Sequence, residues 1–386
     1  MAVMELAREE DKWIRKLGEA LWIRERCDGC DSNRPCSDQC PGSRYEKLAR
    51  YVQFCKAVVD PEHDESTLRA FLRDEAKLLE IVRVLRSNPD ITREELERVV
   101  KHMIVGTVTI IPPTVLVGHA VKIMTMLDSA PALQTSPQRL ENAEARVPWS
   151  PKSTFSEFVE QAFPTTKHSI LSDHTHSDFD EFIGDLSAVN IRNALKVSIR
   201  GTSILQDHLK LDRRSNVLEI YHHTAFIKEQ LRQTKDAKDL TVAQSLKRGC
   251  LPRQLLLEVL DSLETVLFPL AQKNPRKLLD FLISKENWDP DICRPDFNGS
   301  RTDGEATVSY HHLASRLSEL HHELENPRPK GQFKKFMARK ASDRHIMMAT
   351  LVGVIIALLF GLAALIISCV QTWISYQAWK YPVSSD

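Results

Sequence analysis

Four of the eight cysteines are packed into Cys27-x2-Cys30-x5-Cys36-x3-Cys40, a spacing that could place four thiolates around one metal ion. Zinc is the ion such a set suits, because it favours sulfur in a tetrahedral shell, and Gly29, Pro35 and Gly42 supply the bends that short ligand loops need. The spacing differs from that of standard fingers and ribbons. The same residues also read as reduced thiols on a loop, or as a redox group, since a reducing cytosol disfavours disulfides. His174-x-His176-x-Asp178 is the second arrangement with metal-ligand character, in which alternating side chains could aim two imidazoles and a carboxylate at one ion. Phe179 follows where a dinuclear hydrolase motif would carry another histidine, and the neighbouring Ser and Asp residues equally read as a solvated loop.

The other polar clusters read as surface or helix-packing groups. The pairs His222-His223, His311-His312 and His321-His322 fall on helices or helix starts, and Asp207-His208 has no activated nucleophile near it in sequence. The chain contains no G-x-S-x-G, P-loop, H-E-x-x-H or G-x-G-x-x-G pattern. Nothing in the motifs proposes an enzyme, and a metal-dependent one using either cluster is the rival to a binding module. With 52 basic and 52 acidic residues the formal charge is zero, so no global field draws nucleic acid.

The elements that must position these residues are mainly helical. At 386 residues and 42% apolar content the chain can fill a sizeable core. Lys12 to Glu25 has Trp13, Ile14, Leu17, Leu21 and Trp22 at helical spacing, and residues 1–44 form an N-terminal helix and Cys-rich segment. In a helical region spanning 45–128, Ser66 to Arg86 is a strong amphipathic helix ended by Asn88-Pro89, and Thr92 with Glu95 makes a capping box. Met103 to Val117 is apolar but short and broken by Gly106 and Pro112-Pro113, which suits buried core, and Val115 to Asp128 continues as a helix. Residues 129–151 hold Pro131, Pro137, Pro148 and Pro151 and read as a linker.

A second, mainly helical region spans 152–326. Ser153 is placed to cap a short helix, Ala194–Arg200 and Asn216–Tyr221 read as strands of a small sheet, and a helix is expected near Ile204 to Leu211. Helices follow from Pro252 to Leu267, from Pro275 to Ser284, and along Tyr310, Leu313, Leu317, Leu320 and Leu324.

From Ile346 to Trp379 no residue is charged, and 346–370 alone holds five Leu, five Ile, three Val and one Phe. About 20 residues of helix cross ~30 Å of hydrocarbon, so this stretch is expected to be a single transmembrane helix. Arg328, Lys330, Lys334, Lys335, Arg339, Lys340 and Arg344 precede it and only Lys380 follows, which places the bulk of the chain in the cytosol. The N-terminus has no h-region of a signal peptide, so the reading is of a tail-anchored protein, on endomembranes rather than the mitochondrial outer membrane. Trp373, Tyr376 and Trp379 suit the far interface, within a short aromatic-rich tail over 371–386. The basic juxtamembrane segment, 327–345, carries Phe333, Phe336 and Met337 on one helical face, which would suit anionic lipid headgroups. Ala349, Gly353, Ala357 and Gly361 recur every four residues and could bring two copies together as a homodimer.

Four stretches carry a family resemblance. They are Leu211-Asp212-Arg213 with Val217-Leu218-Glu219-Ile220-Tyr221-His222-His223-Thr224-Ala225-Phe226-Ile227-Lys228-Glu229-Gln230-Leu231; Leu251-Pro252-Arg253-Gln254; Glu323-Leu324-Glu325-Asn326-Pro327-Arg328-Pro329-Lys330-Gly331; and Met347-Met348-Ala349-Thr350-Leu351-Val352-Gly353-Val354. Together they resemble a set of uncharacterised fungal proteins that end in the same kind of anchor. That resemblance implies the topology and brings no established activity, cofactor or catalytic residue.

Overall fold

In a computed structural model the chain is described over residues 16–22, 47–59, 65–104, 112–129, 147–237, 239–294, 297–327 and 346–380, with backbone alone for 65–75, 297–298, 346–353 and 378. The fold is mainly α-helical, with a small sheet in the second half and one long apolar C-terminal helix. Two compact units divide the chain at Asn326 and Pro327.

In the first unit, α1 (Ala49–Val59) is followed by α2 (Glu65–Ser87), whose Leu78, Leu79, Val82 and Leu85 are buried as their three-and-four spacing demands. α3 (Arg93–Met103) begins on the expected capping box, in which Thr92 Oγ1 accepts the Glu95 amide and Glu95 Oε2 accepts the Thr92 amide at 3.0 Å. α4 (Pro113–Thr125) starts on proline, whose missing N–H costs nothing in the first turn. α5 (Phe155–Ala162) is capped by Thr154, not Ser153, because Thr154 stands three residues before Glu157 and closes a second capping box. The two capped starts are tied to each other: the Phe155 amide donates to Ile91 O at 3.0 Å, the Ser156 amide to Pro89 O at 2.9 Å, and Ser156 Oγ to Asp90 Oδ1 at 3.0 Å. Residues before and after 130–146 thereby share one core.

Two short helices, α6 (Phe179–Asp185) and α7 (Ala188–Leu195), precede the sheet. The expected first strand begins late, at Ser198, because Ala194 and Leu195 finish α7 and Lys196 turns the chain at φ 51°. β1 (Ser198–Thr202) pairs in parallel with β3 (Val217–Tyr221), in register Ser198↔Val217 to Thr202↔Tyr221. The helix expected over 204–211 is absent. Residues Leu205–Asp207 make one 3-10 turn, and β2 (Lys210–Asp212) pairs antiparallel with β3, so the order is β1-β3-β2. Asp212 decides this locally: its carboxylate accepts the Arg214 and Ser215 amides at 2.8 and 3.3 Å, a side-chain turn that reverses the chain into β3.

α8 (Thr224–Gln233) leaves the sheet directly, and α9 (Val242–Lys247) leads to α10 (Arg253–Asp261). The latter continues as a π-helical turn over Ser262–Leu267, so the expected Pro252-to-Leu267 helix is present with a widened last third. α11 (Lys273–Glu286), α12 (Phe297–Ser300) and α13 (Ala314–Glu325) complete the unit. Aromatic packing centres it: Tyr51 stacks on Phe226 with ring centroids 4.4 Å apart, and Tyr51 donates its hydroxyl to Ile123 O at 2.6 Å, joining α1, α4 and α8.

The second unit contains α14 (Ile346–Lys380). Its segment Val354–Gln377 is 24 residues long, long and apolar enough to cross a membrane, and its side chains are exposed from Val354 to Tyr376.

Candidate functional site

Because β1 and β3 run parallel, their carboxyl ends open on one edge, the position at which open α/β sheets place ligands. Ser203 follows β1 there, and His222, His223 and Thr224 follow β3. Ser203 Oγ and His223 Nε2 lie 2.9 Å apart. Burial, then His222 and Arg50, hold the His223 imidazole well below its ordinary pKa, and burial followed by Arg50 brings His222 down to about 4, so both rings are neutral at physiological pH. The two imidazoles stack with centroids 4.3 Å apart, and His222 stacks in turn on Trp288 at 5.5 Å. Asp289 backs the cluster. Its carboxylate accepts the Ala225 amide of the α8 N-terminus and the Asp291 amide, both at 3.0 Å, and its own amide donates to His222 Nδ1 at 3.3 Å. Burial raises the Asp289 carboxyl to about 6.

A neutral imidazole beside a hydroxyl is the pairing of an activated nucleophile, provided an acceptor holds the second ring nitrogen as a donor. His223 Nδ1 has no hydrogen-bond partner among the described residues. In the tautomer that leaves a lone pair and no N–H at Nδ1, the proton sits on Nε2 and is donated to Ser203. In that arrangement the serine is held, not activated.

The same logic governs His208, which sequence separation hides from its partner. Ser262, in the π-helical turn, reaches His208 Nε2 at 2.8 Å. His208 Nδ1 accepts the Tyr221 amide at 3.2 Å, so Nε2 carries the proton and donates to Ser262 Oγ, which passes its own to Val259 O at 2.7 Å. Burial takes His208 to about 3. This chain ties β3 to the turn and leaves no base free.

The same region buries three cations, Lys228, Arg253 and Arg301, the last paired with Asp261 at 3.4 Å. Lys228 Nζ meets Glu264 at 3.0 Å and Asp291 at 2.9 Å, and donates to the Asp291 and Arg294 carbonyls at 3.0 and 2.7 Å. Burial raises the Glu264 carboxyl despite Lys228. Arg253 forks onto Glu305 at 2.7 and 2.6 Å; burial alone would raise that carboxyl, and the arginine with Thr302 overrides it, bringing it to about 2. These contacts fix α8, α10 and the loop after α12 as one block.

Cys27, Cys30, Cys36 and Cys40 lie outside the described residues. His174, His176 and Asp178 are exposed: His174 Nδ1 bonds Ser309 Oγ at 2.9 Å, while His176 Nδ1 accepts the Asp178 amide at 3.2 Å and lies 4.0 Å from its carboxylate. Among the described residues no group of three His, Cys, Asp or Glu side chains is arranged to hold a metal ion. His223 departs from the sequence expectation of a surface or helix-packing group by joining a polar cluster at the sheet edge, and no spacing signal pairs it with Ser203. Comparison with protein-family models, with curated proteins and with solved structures finds no match.

Proposed function

We propose that this chain is a membrane-anchored interaction or regulatory module, a helical body tethered to the cytosolic face of an endomembrane by a single C-terminal span. The observation that carries the reading is the Val354–Gln377 segment, charge-free and with its described side chains facing out, in a unit separate from the body. A soluble helix this apolar would bury a face; hydrocarbon is the solvent that suits it on all sides. The seven Lys and Arg residues between Arg328 and Arg344, against Lys380 alone beyond the span, favour the cytosolic body. In this reading the bilayer and its anionic headgroups are the first partners, and the polar clusters of the body serve to hold a binding surface in shape.

The test is topological. Asn298-Gly299-Ser300 lies in α12 with Ser300 buried, not on an open loop, so it is a poor glycosylation reporter. An Asn-x-Thr sequon on a short extension beyond Asp386 is expected to acquire glycan in endoplasmic reticulum membranes, while added protease digests the body. A protease-protected body with a bare tail would invert the topology, and release of the chain by alkaline carbonate would remove the anchor.

A further inference from the structure

Residues four apart on a helix lie one above another, and along α11 that row reads Lys273, Lys277, Phe281, Lys285. All four are exposed, Phe281 at 53%. Among the described residues of the body, Phe281 and Val115 are the large apolar side chains left this open; every other one lies in α14. Alongside the row, between α11 and α7, runs a groove of about 320 Å³ whose lining includes Val189, Arg192, Asn193, Lys277, Leu278 and Phe281 and no carboxylate. Arg192, Lys273, Lys277 and Lys285 form no ion pair among the described residues. Of the acids of α11, Glu286 stands about 140° from Phe281 at 3.6 residues per turn, while Asp280, three positions after Lys277, flanks the Lys273 end of the row.

We propose that this face of α11 is a second membrane contact, at which Phe281 enters the interface of an anionic bilayer and the three lysines with Arg192 meet lipid headgroup phosphates and carboxylates. An exposed aromatic set among unpaired cations is the composition that interfacial helices use. The row runs about 18 Å along the helix, an extent that suits a surface better than a side-chain pocket. The inference rests on the anchored reading, because a tethered body meets lipid at high effective concentration and needs only modest intrinsic affinity. Each lysine near a charged surface changes membrane binding by about fivefold.

The test uses the full chain in lipid nanodiscs carrying a photoreactive phospholipid, either in phosphatidylcholine alone or with phosphatidylserine. Crosslinks are expected on the peptide 273–286 in the anionic discs, to fall about fivefold for each of Lys273→Gln, Lys277→Gln and Lys285→Gln, and to weaken with Phe281→Ser. These side chains are exposed, so the unfolding midpoint should not move, and that measurement guards against misfolding. Crosslinks confined to 346–380, or equal in neutral and anionic discs, overturn the proposal. So does a row that ignores lipid and is labelled instead by a photoreactive acidic peptide, which would assign it to a protein partner. Alkaline extraction of the same discs separates the two readings: a chain that resists extraction without labelling α11 keeps its anchor and loses only this contact.

Discussion

Gly201 shows how one missing side chain permits the sheet-edge cluster. A Cβ there would stand 2.6 Å from Trp288 Nε1 and 2.9 Å from His222 Cδ2, and both rings are locked in their stack. Gly201→Ala is therefore expected to destabilise the body by about 1–3 kcal/mol, read as a lower denaturation midpoint. No motif marks this glycine, since its neighbour Trp288 comes from 87 positions further along. The cysteine cluster stands the other way, visible in spacing and outside the described residues. If its four thiolates hold zinc, Cys27→Ser with Cys30→Ser should remove about one equivalent of metal from the purified full chain, by elemental analysis. Equal metal in parent and variant would leave them as loop thiols.

At the scale of elements, helix starts divide into those that cap themselves and those capped from afar. Thr92 and Thr154 carry their partners three residues on, so α3 and α5 are legible in sequence to within a residue. α13 has no capping side chain of its own. The amides of the three residues just ahead of it, His311, His312 and Leu313, all donate at 2.8 Å to the carboxylate of Glu258 on α10 and hold the chain at its entry to the helix. Glu258→Ala should thus cost about 3 kcal/mol or more and expose 310–325 first, seen as faster amide hydrogen exchange there than in α3. α14 offers the opposite case, an element complete in its own sequence. A Cβ added to Gly361 would meet nothing within 4 Å, so that side of the helix is open to a second copy. Gly353→Ile with Gly361→Ile should lower the dimer fraction in a membrane reporter, and an unchanged signal would mean that the small residues reflect composition alone.

For the whole molecule, the buried histidines set a pH dependence. His119, His208 and His222 fall to about 4, 3 and 4 through burial, and His223 is also depressed. A depressed imidazole leaves the unfolded state binding more protons below pH 6.5, so its stabilisation is full above that pH and is lost as pH falls. Asp289, raised to about 6, and Glu264, raised by burial, act in the opposite sense by holding a proton in the folded state. Four groups against two give a net loss, so the thermal midpoint of the chain in detergent is expected to drop between pH 7 and pH 5; a flat profile would contradict the neutral rings. The sequence alone determined what depends on neighbours within a turn or two: the long helices, the Thr92 cap with Glu95 at the third position, the start of α5 to within one residue, and the apolar C-terminal segment. It read 204–211 as helix because Ile204, Leu205 and Leu211 suit either period; the Asp212 turn together with pairing to β3 decided for a strand at Lys210–Asp212. Only the tertiary structure decided which polar residues meet. Ser203 with His223, Ser262 with His208, Lys228 with Glu264 and Glu258 with α13 are separated by 20 to 55 positions, and such contacts are fixed by how elements pack, which local spacing does not encode.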